Sequence, residues 1–178
     1  MAMVGLFWIT EGDVYLGSKP SGLAPGVRLT PEGVLALGDK QSALYPWEDV
    51  RSLTVTDVPV QTLRRRAGAV TDMALGTVGA VLDMVPGSYS GLMEADPPLM
   101  TVRVETPDAT HEPSVYAAAA TGYPAPEVAL SHTLLTRLTE GAATLATTLS
   151  AMADWGRTAG PDTPKRAARE QLLRDWAR

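Results

Sequence analysis

Chemistry needs nucleophiles, bases, metal ligands or fixed cations brought to one place, and this chain of 178 residues offers few candidates. Its two histidines stand apart. His111 lies at a turn between two extended stretches, beside Glu112, where general-base chemistry would need a nucleophile within reach. His132 lies in a helical stretch with Val128 four residues before it and Thr136 four after. No His-x-x-x-His or Glu-x-x-His pair forms there to hold a metal. Both histidines are expected to be ordinary surface or hydrogen-bonded residues. Glu48 and Asp49 have the composition of an acid/base pair, but neighbouring side chains on a strand point to opposite faces. Ser88-Tyr89-Ser90-Gly91 lacks the glycine two places before the serine that a nucleophile elbow requires. Gly76-Thr77-Val78-Gly79 has neither the lysine nor the spacing of a phosphate-cradling loop. With no cysteine, disulfides and zinc–cysteine sites are excluded. The residues assign no catalytic group, no metal and no cofactor. The expectation is a non-enzymatic protein; an enzyme would require acidic residues from distant loops to converge.

The remaining candidates concern contact. Arg64, Arg65 and Arg66 precede a stretch of small residues, Gly68, Ala74, Gly76, Gly79 and Ala80. Such a run can lie on an anionic membrane surface, each charge contributing about 1 kcal/mol. Asp72 and Asp83 and the lack of a large aromatic anchor suit packing against protein at least as well. A second candidate is the apolar series Val128, Leu135, Leu138, Ala142, Leu145, Leu149 and Met152, with only Ser131 out of character. Its three- and four-residue steps make a helix seam. The first half suits core packing and the second, through Leu145, Leu149 and Met152, oligomer or intramolecular packing. The third is the segment Lys165–Arg178, where Ala168, Leu172 and Trp176 recur every four residues between arginines. A helix of that length is marginal alone in water, so it docks either on its own domain or on another protein.

The elements that position these groups follow from local pattern. Short extended pieces fill residues 4–57, where Pro31-Glu32-Gly33 turns Val27–Thr30 back onto Val34–Leu37, with glycine at a place suited to positive φ. Val50–Asp57 alternates, with Leu53 and Val55 directed inward. Residues 61–85 change to helical steps, weakened by glycines that each cost roughly 1 kcal/mol. Leu99–Thr106 and Glu112–Ala119 read as a hairpin. A helix opens at Pro124-Ala125-Pro126-Glu127, with the carboxylate of Glu127 favoured in its first turn. It runs to Glu140, then continues or restarts through Trp155. A last short helix is expected from Thr163 as cap and Pro164 as first residue.

The apolar share of 45% is enough to build a core. A net charge of −5, from 15 basic and 20 acidic residues, argues against a nucleic-acid binder. No basic leader, long apolar leader core or membrane-length apolar run occurs, so a soluble cytoplasmic protein is expected.

Leu29-Thr30-Pro31-Glu32-Gly33-Val34, followed by Tyr45-Pro46-Trp47-Glu48-Asp49-Val50-Arg51-Ser52-Leu53, resembles the bacterial pleckstrin-homology-like domains and, more distantly, GRAM domains. In those families a Leu-Thr-x-x-Gly-Val strand pair precedes an x-Pro-Trp-x-Asp-Ile-x-x-Val strand. The resemblance covers residues 1–57 and 99–140. It implies an α+β fold, a PH-like antiparallel barrel or sandwich of about seven strands closed by a helix. The domain would span 1–156, with a helical insertion at 60–98 and the closing helix at 125–155; residues 157–178 form a linker and short helix. Lipid-binding members carry a basic loop between their first two strands. Thr10-Glu11-Gly12-Asp13 is acidic, which disfavours phosphoinositide binding in the usual pocket. The functional expectation is a scaffold that binds a protein partner or itself through Leu145, Leu149, Met152, Leu172 and Trp176. The alternative is weak contact with anionic membrane through Arg64–Arg66.

Overall fold

The computed structural model describes residues 2–61, 96–160 and 162–178. The chain divides into two units, Met1–Val60 with Pro97–Arg178, and Gln61–Asp96. Arg64, Arg65 and Arg66, with the helix expected over 61–85, lie outside the described residues.

Ten strands are described: β1 (Ala2–Val4), β2 (Phe7–Ile9), β3 (Val14–Leu16), β4 (Gly26–Leu29), β5 (Gly33–Leu37), β6 (Ala43–Pro46), β7 (Ser52–Thr56), β8 (Leu99–Glu105), β9 (Thr110–His111) and β10 (Ser114–Tyr116). All pair antiparallel. β1 to β6 form a six-stranded meander, and β10, β8 and β7 a second sheet with β9 also on β8. Three helices follow: α1 (Ala125–Leu138), α2 (Ala142–Thr158) and α3 (Arg166–Trp176). The architecture is α+β. The expected barrel does not close, because no ladder joins the two sheets among the described residues. The reason is local: Pro46, which lacks an N–H, ends β6, and Trp47 to Val50 then make a hydrogen-bonded turn before β7. That turn sends β7 into the other sheet.

Strand alternation explains the core. Val4, Phe7, Ile9, Leu16, Val27 and Val34 from the meander are fully buried, as are Val102, Val104 and Val115 from the second sheet. The β4–β5 turn is held by Thr30, whose Oγ1 accepts from Gly33 N–H at 3.1 Å and donates to its carbonyl at 3.0 Å. Gly33 is required there for space and not for positive φ: a Cβ would lie 2.3 Å from the Tyr45 carbonyl oxygen on β6. Trp47 fixes the corner by donating its indole N–H to Thr30 O at 2.7 Å.

The long apolar seam breaks into α1 and α2 at Thr139–Gly141, and both pieces face the core through Leu134, Leu135, Leu138, Leu145, Leu149 and Met152. Ser131 fits that seam because it is fully buried and satisfied. Its hydroxyl donates to Glu127 O at 2.7 Å and accepts the Leu6 N–H at 3.1 Å. Helix α3 starts two residues later than expected, with Lys165 at its cap position and no side-chain cap. Thr163 instead accepts a long 3.4 Å bond from Met3 N–H on β1. Two of the edge strands, β1 and β7, are each met by a side chain, as exposed edges invite unwanted pairing. Thr163 faces β1, and His132 Nε2 on α1 lies 3.1 Å from Val55 O on β7.

Candidate interaction surface on the outward sheet face

The antiparallel registers place one residue from every strand of the meander in a single row: Met3, Trp8, Tyr15, Arg28, Leu35 and Leu44. Paired residues share a face, opposite the one that carries Val4, Phe7, Leu16 and Val27, and Met3 at its end also packs against the core. Six strands about 4.8 Å apart make the row about 24 Å long. Five of its six members are apolar or aromatic. Leu44 is 50% exposed; Met3, Trp8, Arg28 and Leu35 are half-buried, and Tyr15 is covered.

The one charge in the row is paired. Arg28 meets Asp13 at 2.8 Å, and Tyr15 Oη donates to the same carboxylate at 3.4 Å. Burial, and then the nearby Asp13 charge, push the Tyr15 phenol above its ordinary range, so it stays a neutral donor. Trp8 Nε1 and Arg28 Nε are shielded donors with no acceptor among the described residues.

The outward face of the second sheet has the opposite chemistry. Its rows read Ser52–Glu105, Thr54–Arg103 and Thr56–Thr101–Ser114, with Leu99 and Tyr116 at one end. That is an ordinary solvated face. The second sheet shows water mainly hydroxyls and charges, with Leu99 52% exposed at one end, whereas the row on the meander shows Leu44 and the half-buried Met3, Trp8 and Leu35.

The expected contact residues lie elsewhere. Leu145, Leu149, Met152 and Trp176 are buried within the protein's own core, and Leu172 is half-buried against it. Helix α3 docks on its own chain, chiefly on α1, with further contact to β1 and α2. These side chains hold helices in place and do not form an open surface. His111 lies against Tyr45 with ring centroids 4.5 Å apart and planes tilted by 34°. Glu48 and Asp49 are exposed turn residues.

Among the described residues no group of three His, Asp or Glu side chains is placed to hold a metal. Three surface hollows of about 350, 340 and 240 Å³ are lined, respectively, around Arg137 and Asp175, around Leu23 and Leu99, and between α2 and Val14 and Leu29. None of the three holds a histidine or two carboxylates. No described helix is long and apolar enough to cross a membrane. Comparison of the chain with family models, with characterised proteins and with solved structures finds no match.

Sequence reasoning missed the row because the strands that form it are three to five residues long. Alternation over three residues carries almost no period. Only the cross-strand register brings Met3, Trp8, Tyr15 and Leu44 together.

Proposed function

We propose that the chain is a non-enzymatic binding module of the PH-like type, which holds a protein partner against the outward face of its six-stranded sheet. The contrast between the two outward faces carries this reading. A solvated sheet has no use for a row of Met, Trp, Tyr and Leu, whereas a contact surface is built from such residues. The meander, the shorter second sheet and α1 packed beside β7 support the PH-like assignment by their order.

The size of the face sets the class of contact. The strip measures about 24 Å by 10–17 Å, and with Tyr15 covered and four members half-buried its open area is a fraction of that footprint. It is well below the roughly 800 Å² per partner of a standard interface. The contact is therefore small and transient, with Trp8 as its aromatic anchor and the Asp13–Arg28 pair giving direction.

The test is capture from an extract of the source cells with the full chain, alongside Leu44→Asp and Trp8→Ala. Both positions lie outside the core, so circular dichroism of the variants should match the parent. Loss of the same captured protein from both variants supports the reading. Capture unchanged in folded variants removes it.

A further inference from the structure

Helix α2 opens without the groups that usually close a helix N-terminus. Gly141 at its cap position has no side chain to accept from the first turn, and that turn carries no acidic residue. The first intrahelical bond runs from Leu145 N–H to Gly141 O at 2.9 Å. The N–H groups of Ala142, Ala143 and Thr144 are therefore free donors among the described residues.

The hollow of about 350 Å³ lies against this end of the helix. It is framed by Ala143, Thr144 and Thr148 of α2, Arg137 of α1, and Trp176 and Arg178 at and after the end of α3. Thr148 lies one turn beyond Thr144 on the same face and is only 6% exposed. Its hydroxyl has no partner among the described residues. Thr147 beside it donates to Ala143 O at 2.9 Å, the back-bond that threonine commonly makes within a helix. A buried hydroxyl left unpaired is costly, and this one belongs to a wall of the hollow. Arg137 on the opposite wall has a shielded Nε that also lacks an acceptor.

The charge balance narrows the ligand. Arg137 pairs with Glu140 at 3.2 Å and also donates to Arg178 O, and Arg178 pairs with Asp175 at 3.3 Å. Each guanidinium already has a carboxylate, so the lining offers no spare full positive charge. What remains is the helix N-terminus, equivalent to roughly half an elementary charge, and a set of neutral donors. That suits a singly charged oxyanion and not a phosphate dianion. Ala151 and Trp176 make part of the wall apolar. The volume lies at the small end of ligand sites, which run from about 300 to 1,000 Å³.

We propose that this hollow binds a small monocarboxylic acid with a compact apolar body. One carboxylate oxygen accepts from the free N–H groups of the first turn of α2, and the other from the Thr148 hydroxyl. The apolar body lies against Ala151 and Trp176. The site shares no residue with the outward row of the meander, so either can fail without the other.

Amide NMR of the full chain titrated with benzoate tests this, with benzyl alcohol as an uncharged probe and phenyl phosphate as a dianion. Benzoate should shift the Ala143, Thr144 and Thr148 amides saturably, with benzyl alcohol about tenfold weaker and phenyl phosphate no tighter. Thr148→Val keeps the side-chain shape, removes the hydroxyl and should weaken benzoate about fivefold. Gly141→Asp supplies the missing cap from within the chain. Gly141 is extended and a Cβ there meets nothing within 4 Å, so the side chain has room. This variant should melt at a higher temperature and bind benzoate about tenfold more weakly, whereas Gly141→Ala binds as the parent does. Loss of binding in a stabilised variant separates competition from unfolding. No saturable shift at these amides, benzyl alcohol binding as well as benzoate, tighter binding of phenyl phosphate, or binding indifferent to Thr148→Val and Gly141→Asp would overturn the proposal.

Discussion

The side-chain amide of Gln41 and the peptide unit of Ser114 exchange two hydrogen bonds, each 2.8 Å long, between the end of one sheet and the edge of the other. Gln41 behaves there as a short extra strand, giving β10 both a donor and an acceptor. Its nitrogen also donates to Leu37 O at 2.8 Å and to Gly26 O at 3.3 Å, so three carbonyls share two protons. The two sheets, which no backbone ladder joins among the described residues, are tied by this side chain together with the Ser18 N–H bond to Tyr116 O at 2.7 Å and the shared apolar core.

Removing that side chain leaves three carbonyls and one N–H without their partner. Gln41→Ala should lower stability by about 1–3 kcal/mol in urea denaturation. Gln41→Glu should cost at least as much, because it turns an oxygen toward carbonyls that need a donor. A variant Gln41→Glu as stable as the parent would contradict this role.

Gly33 gives a steric prediction. Gly33→Ala sets a methyl group 2.3 Å from Tyr45 O and 2.9 Å from its carbonyl carbon, both backbone atoms of the neighbouring strand. Such overpacking should cost about 1–3 kcal/mol or more. Gly160→Ala, whose Cβ meets nothing within 4 Å, should stay within about 0.5 kcal/mol of the parent. Equal midpoints for the two variants would contradict the account of the β4–β5 turn.

Tyr123 links stability to alkaline pH. It is fully buried, and its hydroxyl accepts the Ala118 N–H at 2.8 Å. Burial raises its phenol above the ordinary 10.0 against the opposing effect of backbone hydrogen bonds. A group with a raised folded-state pKa keeps its full contribution below the unfolded value and loses it as pH rises through the folded one. Stability should therefore fall as pH climbs above about 10. Tyr123→Phe should cost about 1–3 kcal/mol near neutrality and make the alkaline fall shallower. Burial likewise raises Tyr15 and Tyr45, so part of the fall should remain. Identical alkaline slopes for parent and variant would exclude this role for Tyr123.

Features that depend on neighbours in the chain were legible in the sequence. Pro31-Glu32-Gly33 gives the β4–β5 turn, Tyr45-Pro46-Trp47 gives the corner, and the steps from Val128 to Met152 give two core-facing helices. Features made by distant residues were not. Gln41 and Ser114 are 73 positions apart, and Glu127 and Arg169 are 42 apart. Glu127 reads locally as a first-turn carboxylate favoured by the helix dipole, and only the fold shows its buried partner. Apolar periodicity in α2 and α3 identified Leu145, Leu149, Met152, Leu172 and Trp176, but periodicity reports burial and does not say against which chain. The outward row of the meander was hidden for the opposite reason. Its residues belong to six short strands and carry no shared period in sequence.

Oxidative footprinting of the full chain, alone and bound to the protein it captures, tests the central claim most directly. Met3 and Trp8 are oxidisable, half-buried and on the outward face, while Trp47 and Tyr116 are half-buried elsewhere. The account predicts several-fold protection of Met3 and Trp8 on binding, with Trp47 and Tyr116 unchanged. Protection of Trp47 or Tyr116 with Met3 and Trp8 still reactive would contradict it.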